Sequence, residues 1–521
     1  MSFTVLFIVF LFQCLVTTSL GSQTGDILLR GGTIITFDEA TAALKPILGS
    51  ILISNGTIKT ISSSINVTSD VEVIDAKDTI ISPGFVDTHR HGWQTVYRTL
   101  APNITLAAYY WSLGEFGVAR FIFDPEDVYI SQLVGIYEAL NAGVTSIVDH
   151  AHHTWTPQTA EAGLNASIDS GARVWWCYTI HPVPNSTMPY VIDNSATTWQ
   201  LEQMVNMSKR GEMADGRVHL GLAYDGLTGP QSTVTDIFNA ATQNNITPIT
   251  THYVGGVFQP NLEAIQVLQT YNLLNISTPI IFSHASGITD AEITLLRQSN
   301  QYVSITPESE LHYGHGNPKS HKLTDQAALG IDTHMTFSTD IITQMRIWLQ
   351  TIRGRLYQPV VDDSLLPNNT GMTTDQIFLM GTRNGGLALR RPDIGVIREG
   401  AKADLVVFNA TGFSMLGWSD PVAAIVLHSN VGDIRDVVVD GRVVKRDGRL
   451  VDPLVERAKE KFLKRTKVLQ ERFAGTNWTD FRLGLWREVS GWTGDEFEEV
   501  DKEDVVRGPL TGYYGVQVGG W

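Results

Sequence analysis

The chain has 521 residues, a formal net charge of −16 and a hydrophobic fraction of 43%. This composition is typical of a globular protein and differs from that of a disordered chain, which contains fewer apolar residues. The acidic balance argues against nucleic acid or an anionic membrane surface as the main partner, so we expect a small-molecule substrate.

The N-terminus carries an apolar run, FTVLFIVFLFQCLVTTSLGS, that ends in small residues. Such a run is typical of a secretory signal peptide, so we predict that residues 1–21 are removed and that the protein is secreted. The run lacks lysine and arginine, which leaves a retained membrane anchor as the alternative. No other stretch of the sequence is apolar over enough residues to span a bilayer, so we expect no stable membrane insertion after cleavage.

Acceptor motifs for N-glycosylation, Asn-x-Ser/Thr, are frequent along the chain. Chance placement of these residue types gives about three such motifs, and each one is a potential glycan position in the secretory pathway. The motifs begin at Asn55, Asn66, Asn103, Asn165, Asn185, Asn206, Asn245, Asn275, Asn368, Asn409 and Asn477. Their number supports secretion independently of the N-terminal run.

Two blocks of short strands and turns flank the middle of the chain. Residues 22–81 contain DILLRGGTIITFD and GSILISNGTIKTI, and residues 391–450 contain ADLVVFNA and IRDVVVDGRVVKRDGRLV. Short alternating strands bounded by Gly, Asn and Asp are typical of antiparallel sheets. We predict one small β-sandwich built from both blocks. Residues 451–521 form a tail that opens with a charged helix, ERAKEKFLKRTKVLQERF, and continues irregularly.

The middle of the chain, residues 82–390, alternates apolar strands with helical stretches. The strands are FVDTHRH, GVTSIVDHAHH, RVWWCYTIHP, VHLGLAYDG, ITPITTHY, TPIIFSHASG, YVSITPE and MTFSTD. Eight strands with intervening helices predict an α/β fold, a (β/α)8 TIM barrel. Such barrels carry their catalytic groups at the C-terminal ends of the strands.

Histidines and one aspartate lie at several of these predicted strand ends. Alternate residues of a strand share a face, so His89 and His91 point the same way. Three imidazoles and a carboxylate form a good site for a divalent transition metal with an open position for water. We therefore predict that His89, His91, His252 and Asp340 bind the metal and that His284 acts beside its water as a base or hydrogen-bond partner. The metal would lower the pKa of that water, and Asp340 could also accept the water's proton.

Further histidines lie near the same strand ends. His150, His152 and His153 follow the second predicted strand, and His181 follows the third. We expect one or two of them to line the pocket and the others to be structural.

The segment SPGFVDTHRH resembles the first metal motif of the amidohydrolase superfamily, and FSTD, TRNGGLALR and GVIREGAKADLVVFNA resemble later family segments. The resemblance covers about residues 26 to 450. The branch that looks most similar contains cytosine and S-adenosylhomocysteine deaminases and the triazine hydrolases. That branch implies one Zn or Fe, with Zn expected here, bound at the four positions given above. It also implies a second-sphere catalytic role for His284. No lysine ends the predicted fourth strand, which disfavours the family's two-metal design.

One departure from that branch concerns proton transfer. The deaminases carry H-x-x-E at the fifth strand, whereas this chain reads THYVGG, with Gly255 at the position of the glutamate. Deamination needs general acid catalysis, so another group must supply the proton. We predict that Glu310, in SITPESELHYGHGNP, is that group. The alternative is that Glu308 and Glu310 only shape or cap the loop.

Aromatic and polar residues near the predicted site suggest how a substrate is held. Trp93 and Gln94 follow the His pair, and His312 lies in the loop after the seventh strand. We predict that these three contact a flat or apolar substrate, with ordinary packing as the alternative.

Together these features predict a metal-dependent hydrolase in which activated water attacks a non-peptide C–N bond. The expected substrate is a small, aromatic or secondary-metabolite molecule with a cyclic amidine or amide. One alternative is a metal-dependent lyase, a decarboxylase or dehydratase on the same scaffold, and another is a non-catalytic ligand-binding relative. The sequence leaves the oligomeric state open, including a homo-oligomer.

Overall fold

The computed structural model describes residues 25–187, 190–254, 264–315, 319–476 and 500. The predicted signal peptide, Gly255, Asn477 and most of the predicted tail lie outside these residues.

The described residues form two main sheets and one two-stranded hairpin. The strands are β1 (Ile27–Asp38), β2 (Ala43–Ser54), β3 (Thr57–Ser62), β4 (Glu72–Asp75), β5 (Thr79–Pro83), β6 (Phe85–Arg90), β7 (Val144–Ala151), β8 (Arg173–Thr179), β9 (Val183–Thr187), β10 (Tyr190–Asp193), β11 (Val218–Ala223), β12 (Ile249–Tyr253), β13 (Ile280–His284), β14 (Tyr302–Ile305), β15 (Ala327–Leu329), β16 (Leu405–Asn409), β17 (Ile434–Val439), β18 (Arg442–Arg446) and β19 (Arg449–Leu450).

One sheet is the predicted barrel. Its eight strands run in the order β6, β7, β8, β11, β12, β13, β14, β15, and each adjacent pair is parallel. A parallel bridge between Arg90 and Asp332 joins the two ends of this order. Strands such as β7 and β13 are buried at every residue, as expected for a parallel sheet covered on both faces. The (β/α)8 prediction is confirmed.

The eighth strand lies earlier in the chain than predicted. The segment MTFSTD, residues 335–340, is a turn and loop that leads into a helix, and the strand is β15, only three residues long. This shift changes which aspartate follows the strand.

The second sheet draws on both ends of the described chain. Its strands run in the order β19, β18, β17, β16, β5, β1, β2, β3, with β4 on β1. Most pairs are antiparallel, whereas β1 pairs in parallel with β4 and β5. Both flanking blocks supply strands to this sheet, as the predicted composite β-sandwich requires.

Helices connect the barrel strands and extend the chain beyond the second sheet. The α-helices are α1 (Leu106–Ser112), α2 (Ala119–Ile122), α3 (Pro125–Asn141), α4 (Pro157–Asp169), α5 (Ala196–Ser208), α6 (Gln231–Gln243), α7 (Ala264–Thr270), α8 (Asp290–Ser299), α9 (Pro307–His312), α10 (Ile341–Asp362), α11 (Thr374–Gly381), α12 (Arg383–Ala388), α13 (Pro421–Ala423) and α14 (Val455–Ala474). A short 3-10 helix, Gly92–Tyr97, follows the His pair.

Local sequence sets several helix starts. Asp124 and Thr156 each accept a hydrogen bond from the third residue of their helix, and each is followed by proline, which suits the first helical turn. None of the helices among the described residues combines the length and the apolar character needed to cross a membrane.

Candidate metal centre

Five side chains converge where the barrel strands end. They are His89 on β6, His91 directly after β6, His252 on β12, His284 at the end of β13, and Asp332 after β15. Ligand atoms of His89, His91 and Asp332 lie within 4.8 Å of one another, and so do those of His89, His252 and His284. The structure thus brings together the four histidines that the sequence singled out.

The carboxylate in this cluster is Asp332, not the predicted Asp340. Asp332 Oδ1 lies 3.1 Å from His91 Nε2 and 3.5 Å from His89 Nε2. Asp340 instead caps helix α10, where its carboxylate accepts hydrogen bonds from Thr343 N at 2.7 Å and Thr343 Oγ1 at 2.8 Å. The placement of Asp340 as a ligand followed from the misplaced eighth strand. Because β15 ends at Leu329, the residue that reaches the centre from the end of this strand is Asp332.

Each histidine of the cluster is held through its Nδ1 atom. The contact at Nδ1 fixes the orientation of each ring, so that its Nε2 points towards the other side chains of the cluster. Residues that hydrogen-bond to metal-binding histidines orient them in the same way. The Nδ1 contacts are His89 to Ser283 Oγ at 2.8 Å, His91 to His150 O at 2.9 Å, His252 to Asp225 Oδ2 at 2.8 Å and His284 to Thr306 Oγ1 at 2.9 Å.

Asp225, two residues beyond the end of β11, gives His252 its orientation. Its Oδ1 accepts a hydrogen bond from His252 N at 2.7 Å, and its Oδ2 contacts His252 Nδ1. Burial lowers the pKa of His252, but the attraction of Asp225 outweighs it and raises the pKa to about 9. Burial likewise raises the pKa of Asp225, and the charges of His252 and His150 bring it well below its usual range. Asp225 is therefore ionised and committed to His252.

Asp332 is held in an unusual backbone conformation. Its φ is +65°, a left-handed value that aspartate adopts more readily than most residues, and its N–H donates to His89 O at 2.9 Å. Ser309 donates its hydroxyl to Asp332 Oδ2. Burial raises the pKa of Asp332, whereas the neighbouring imidazoles of His89, His91 and His284 lower it, and the net pKa lies well below the usual range. Asp332 therefore supplies a fixed negative charge.

The spacing of these atoms fits a divalent metal. Tetrahedral ligands with bonds of 2.0–2.2 Å lie about 3.4 Å apart. The distances from Asp332 Oδ1 to the Nε2 atoms of His89 and His91 match that spacing, as does the 3.4 Å between His252 Nε2 and His91 Nε2. Within the described part of the chain, His89 Nε2 is buried without a hydrogen-bond partner, which a metal would supply. His89, His91, His252 and Asp332 thus form a suitable donor set.

Glu310 lies behind His284. Its Oε1 accepts a hydrogen bond from Thr306 N at 3.0 Å and is 3.7 Å from His284 Nδ1. The other ring nitrogen, His284 Nε2, is the one that faces Asp332, at 3.9 Å from Oδ2. This placement supports a role for Glu310 in holding His284, not the predicted role of direct proton donor.

The three predicted substrate contacts have protein partners. Gln94 is buried and donates to Tyr109 Oη at 3.0 Å and to Leu113 O at 2.9 Å. Trp93 is also buried and donates from Nε1 to His152 Nδ1 at 2.9 Å. His312 Nε2 lies 3.1 Å from Ile104 O, so it links the end of helix α9 to the loop before α1. These contacts favour the packing alternative for Trp93 and Gln94.

The remaining histidines near the strand ends differ in their distance from the centre. The His152 ring stacks on His91 with centroids 4.0 Å apart, and His150 Nε2 lies 3.6 Å from Asp225 Oδ2. His181 contacts its own loop through Pro182 O at 2.7 Å, and His153 packs against Gly163 of α4. His150 and His152 therefore border the centre directly.

Sequence reasoning missed three residues of this region: Asp332, Asp225 and Glu115. Asp225 follows a barrel strand in AYDG, so the rule used for the histidines could have found it. Glu115 lies in the loop between α1 and α2, and its Oε2 is 3.9 Å from His152 Nε2. No sequence pattern indicates that Glu115 belongs to this site.

Comparison with known proteins identifies the family. The model of the amidohydrolase family matches residues 80–444, more than half of the chain. The chain belongs to the amidohydrolase family. This membership confirms the resemblance inferred from the sequence and the class of metal-dependent hydrolase acting on non-peptide C–N bonds.

Individual relatives are distant but cover most of the chain. A 5-methylthioadenosine/S-adenosylhomocysteine deaminase of Caldicellulosiruptor saccharolyticus is 25% identical over 471 residues, which cover 86% of this amidohydrolase and 99% of the relative. An adenosine deaminase structure from Xanthomonas campestris with bound zinc has a TM-score of 0.72 at 18% identity, covering 87% and 99%. Atrazine chlorohydrolase of Arthrobacter aurescens, in a zinc complex, also has a TM-score of 0.72 at 18% identity, covering 84% and 100%.

Proposed function

We propose that this amidohydrolase is a zinc-dependent hydrolase that removes an amino group from a small aromatic heterocycle by cleaving the C–N bond of a cyclic amidine. The observation that carries the proposal is the convergence of three Nε2 atoms and the Asp332 carboxylate at the spacing of a metal's ligands. A divalent metal held there lowers the pKa of a water molecule and polarises the bond under attack. Zinc is proposed because two structural neighbours contain it.

His284 suits the handling of a proton beside this centre. Its Nε2 faces Asp332 Oδ2 at 3.9 Å, and Thr306 Oγ1 and Glu310 hold the opposite side of the ring. Burial lowers the pKa of His284 to about 4, so the imidazole is neutral at pH 7 and can accept a proton.

Aromatic residues flank Glu115 in the chain. Tyr110, Trp111 and Phe116 are partly buried near the loop that carries Glu115, and the rings of Tyr110 and Phe116 lie 5.9 Å apart. Aromatic walls with a few polar groups favour planar substrates. Two of the relatives are named for adenosine compounds, whose ring is a cyclic amidine with an exocyclic amine. We therefore propose 6-aminopurine nucleosides as the first substrate class.

The zinc-loaded protein should release ammonia from 5′-methylthioadenosine, S-adenosylhomocysteine or adenosine and leave the corresponding 6-oxopurine. Carrying out the reaction in 18O-labelled water should place one labelled oxygen on the attacked carbon, because hydrolysis takes the oxygen from water. A His89→Ala variant, which lacks one ligand, serves as the control and should neither retain zinc nor release ammonia.

Two results would support one of the alternative functions over hydrolysis. Release of carbon dioxide, or loss of water from a substrate, without incorporation of the label would favour the metal-dependent lyase. Tight binding of these compounds without any turnover by the zinc-loaded protein would favour a non-catalytic ligand-binding relative.

We further propose that the protein passes through the secretory pathway and carries N-linked glycans. All ten acceptor asparagines that fall within the described residues are exposed, which is what attachment of a bulky glycan needs and supports the proposal. Protein isolated from its native host should lose mass on treatment with peptide N-glycosidase, and its N-terminus should begin near residue 22. An unchanged mass and an intact apolar N-terminus would exclude the proposal.

A further inference from the structure

The proposed deamination needs a group that moves protons between water and the substrate nitrogens, and the chain lacks the usual one. Gly255 stands where deaminases of the similar branch have glutamate. Given the proposed function, on which this inference rests, another group of the chain must take that role, and several carboxyl groups of the described residues lie near the centre.

Most carboxyl groups near the centre are already committed. Asp332 faces the ligand histidines and Asp225 orients His252. Glu310 lies behind His284. Asp149 is fully buried and accepts hydrogen bonds from Gly92 N at 3.0 Å and Gln132 Nε2 at 2.7 Å, so it fixes the backbone after the His pair.

Asp225 is 33% exposed but is committed to His252. Glu115 is more accessible to solvent than Glu310 and Asp332. Its side chain is 16% exposed, whereas those of Glu310 and Asp332 are 2% and 7% exposed. The backbone of its loop is fixed, because Trp155 donates from Nε1 to Glu115 O at 2.8 Å. The neighbouring Phe116 packs edge-on against His181, with ring centroids 5.5 Å apart. Glu115 is therefore held near the strand ends and remains accessible to a ligand.

His152 faces the Glu115 carboxyl group at a distance longer than a hydrogen bond. Trp93 Nε1 can only donate, so His152 Nδ1 accepts its hydrogen bond and the remaining proton of the neutral ring sits on Nε2. That N–H lies on the side of Glu115, whose Oε2 is 3.9 Å from His152 Nε2. The same ring stacks on His91, so a single imidazole separates Glu115 from a ligand of the centre.

The electrostatic surroundings suit proton transfer. Burial raises the pKa of Glu115, and its own backbone N–H lowers it again in part. The charges of His252 and His91 also lower the pKa of this carboxyl, and the charge of Asp225 raises it. The net pKa is above the usual range for glutamate, which brings it closer to the pH at which a proton shuttle works well.

We propose that Glu115 is the proton-transfer residue of this enzyme and that His152 is its positioning residue. As the water oxygen forms the new C–O bond, Glu115 takes one of its protons and passes it to the ring nitrogen next to the attacked carbon. Glu115 then moves the hydroxyl proton to the amino group. The C–N bond breaks with its electron pair on nitrogen, ammonia leaves and the carbon becomes a carbonyl.

The kinetic test compares Glu115→Gln with Glu126→Gln, an exposed glutamate of α3 that serves as the matched control. With 5′-methylthioadenosine as probe, Glu115→Gln should lower kcat about 10²- to 10⁴-fold, the usual contribution of general acid–base catalysis, and should leave the zinc content unchanged. Glu115→Ala should recover part of its activity in formate. Wild-type kcat in Glu115→Gln would overturn the proposal.

A spectroscopic test works without any substrate. Infrared spectra of the zinc-loaded protein, recorded as the pH is lowered, should show a protonated-carboxyl band that appears at a higher pH than those of exposed glutamates, that Glu115→Gln removes and that Glu126→Gln keeps, and zinc should shift this band. Absence of such a band would also overturn the role of Glu115. If the wild type turns over no aminopurine, the proposed function fails, and the infrared result decides about Glu115 separately.

Discussion

The Asp332→Asn variant should lose its tightly bound metal and with it nearly all activity, whereas Asp340→Asn should keep both. Asp332 is the only carboxylate among the four proposed ligands, and asparagine retains its size but removes its charge. Replacing an outer partner of a metal ligand costs about 10- to 100-fold in metal affinity, so we expect the loss of a direct anionic ligand to exceed this range. Zinc content after dialysis and competition with a chelator measure the change.

Asp340→Asn is a matched control because asparagine caps helices about as well as aspartate. Helix α10 should therefore remain intact, and the free energy of unfolding should change little. If Asp340→Asn lost the metal while Asp332→Asn retained it, the assignment made from the sequence would be right and the geometric one wrong.

The Arg173→Leu variant should be strongly destabilised. Arg173 begins β8 and is buried, and it binds Asp404 through Nε at 2.9 Å and Nη2 at 3.1 Å. Its Nη2 also contacts Asp440 Oδ1 at 3.0 Å. Asp404 directly precedes β16 and Asp440 directly follows β17, and both strands belong to the second sheet. Arg173 therefore joins the barrel to the second sheet. Removing it leaves the buried Asp404 charge without its cation, and we expect a loss of about 3–5 kcal/mol in the free energy of unfolding.

Urea unfolding followed by circular dichroism measures this loss, and Arg297→Leu provides the comparison. Arg297 pairs with Asp325 in the same two-pronged way, but both side chains are about half exposed. Exposed pairs contribute about 0–1 kcal/mol. Similar effects of the two substitutions would show that burial of the Arg173 pair does not matter. The double variant Arg173→Met/Asp404→Leu should recover part of the lost stability.

The sequence was sufficient for the barrel and for the four histidines of the centre. His89 and His91 alternate on a buried apolar strand, His252 follows the β-branched residues of ITT, and His284 ends the strand IIFSH, so their positions follow from local pattern alone. The similar patterns of short strands in the two flanking blocks were likewise enough to predict that both blocks contribute to one β-unit.

The sequence pattern alone could not show which aspartate binds the metal. Strand β15 is Ala-Ala-Leu, which has no β-branched residue, whereas MTFSTD contains the Thr and Phe residues that favour strands. The carboxylate reaches the centre because Asp332 adopts a left-handed backbone conformation next to β6, a feature that depends on the closed barrel. Glu115 depends on tertiary structure even more, since His152 and Trp155, which contact it, lie some forty residues away.

Helix α14 lies beyond residue 444, where the family match ends, and yet it packs on the segment that carries the metal ligands. The ring of Phe473 packs at a tilt against Tyr97 of the 3-10 helix, with ring centroids 6.1 Å apart, and Arg465 pairs with Asp127 at the start of α3. A protein trimmed to the family boundary would therefore leave the back of the His91 loop open to water. For laboratory evolution or fusion of this enzyme, the C-terminal extension is best treated as an outer wall of the active site.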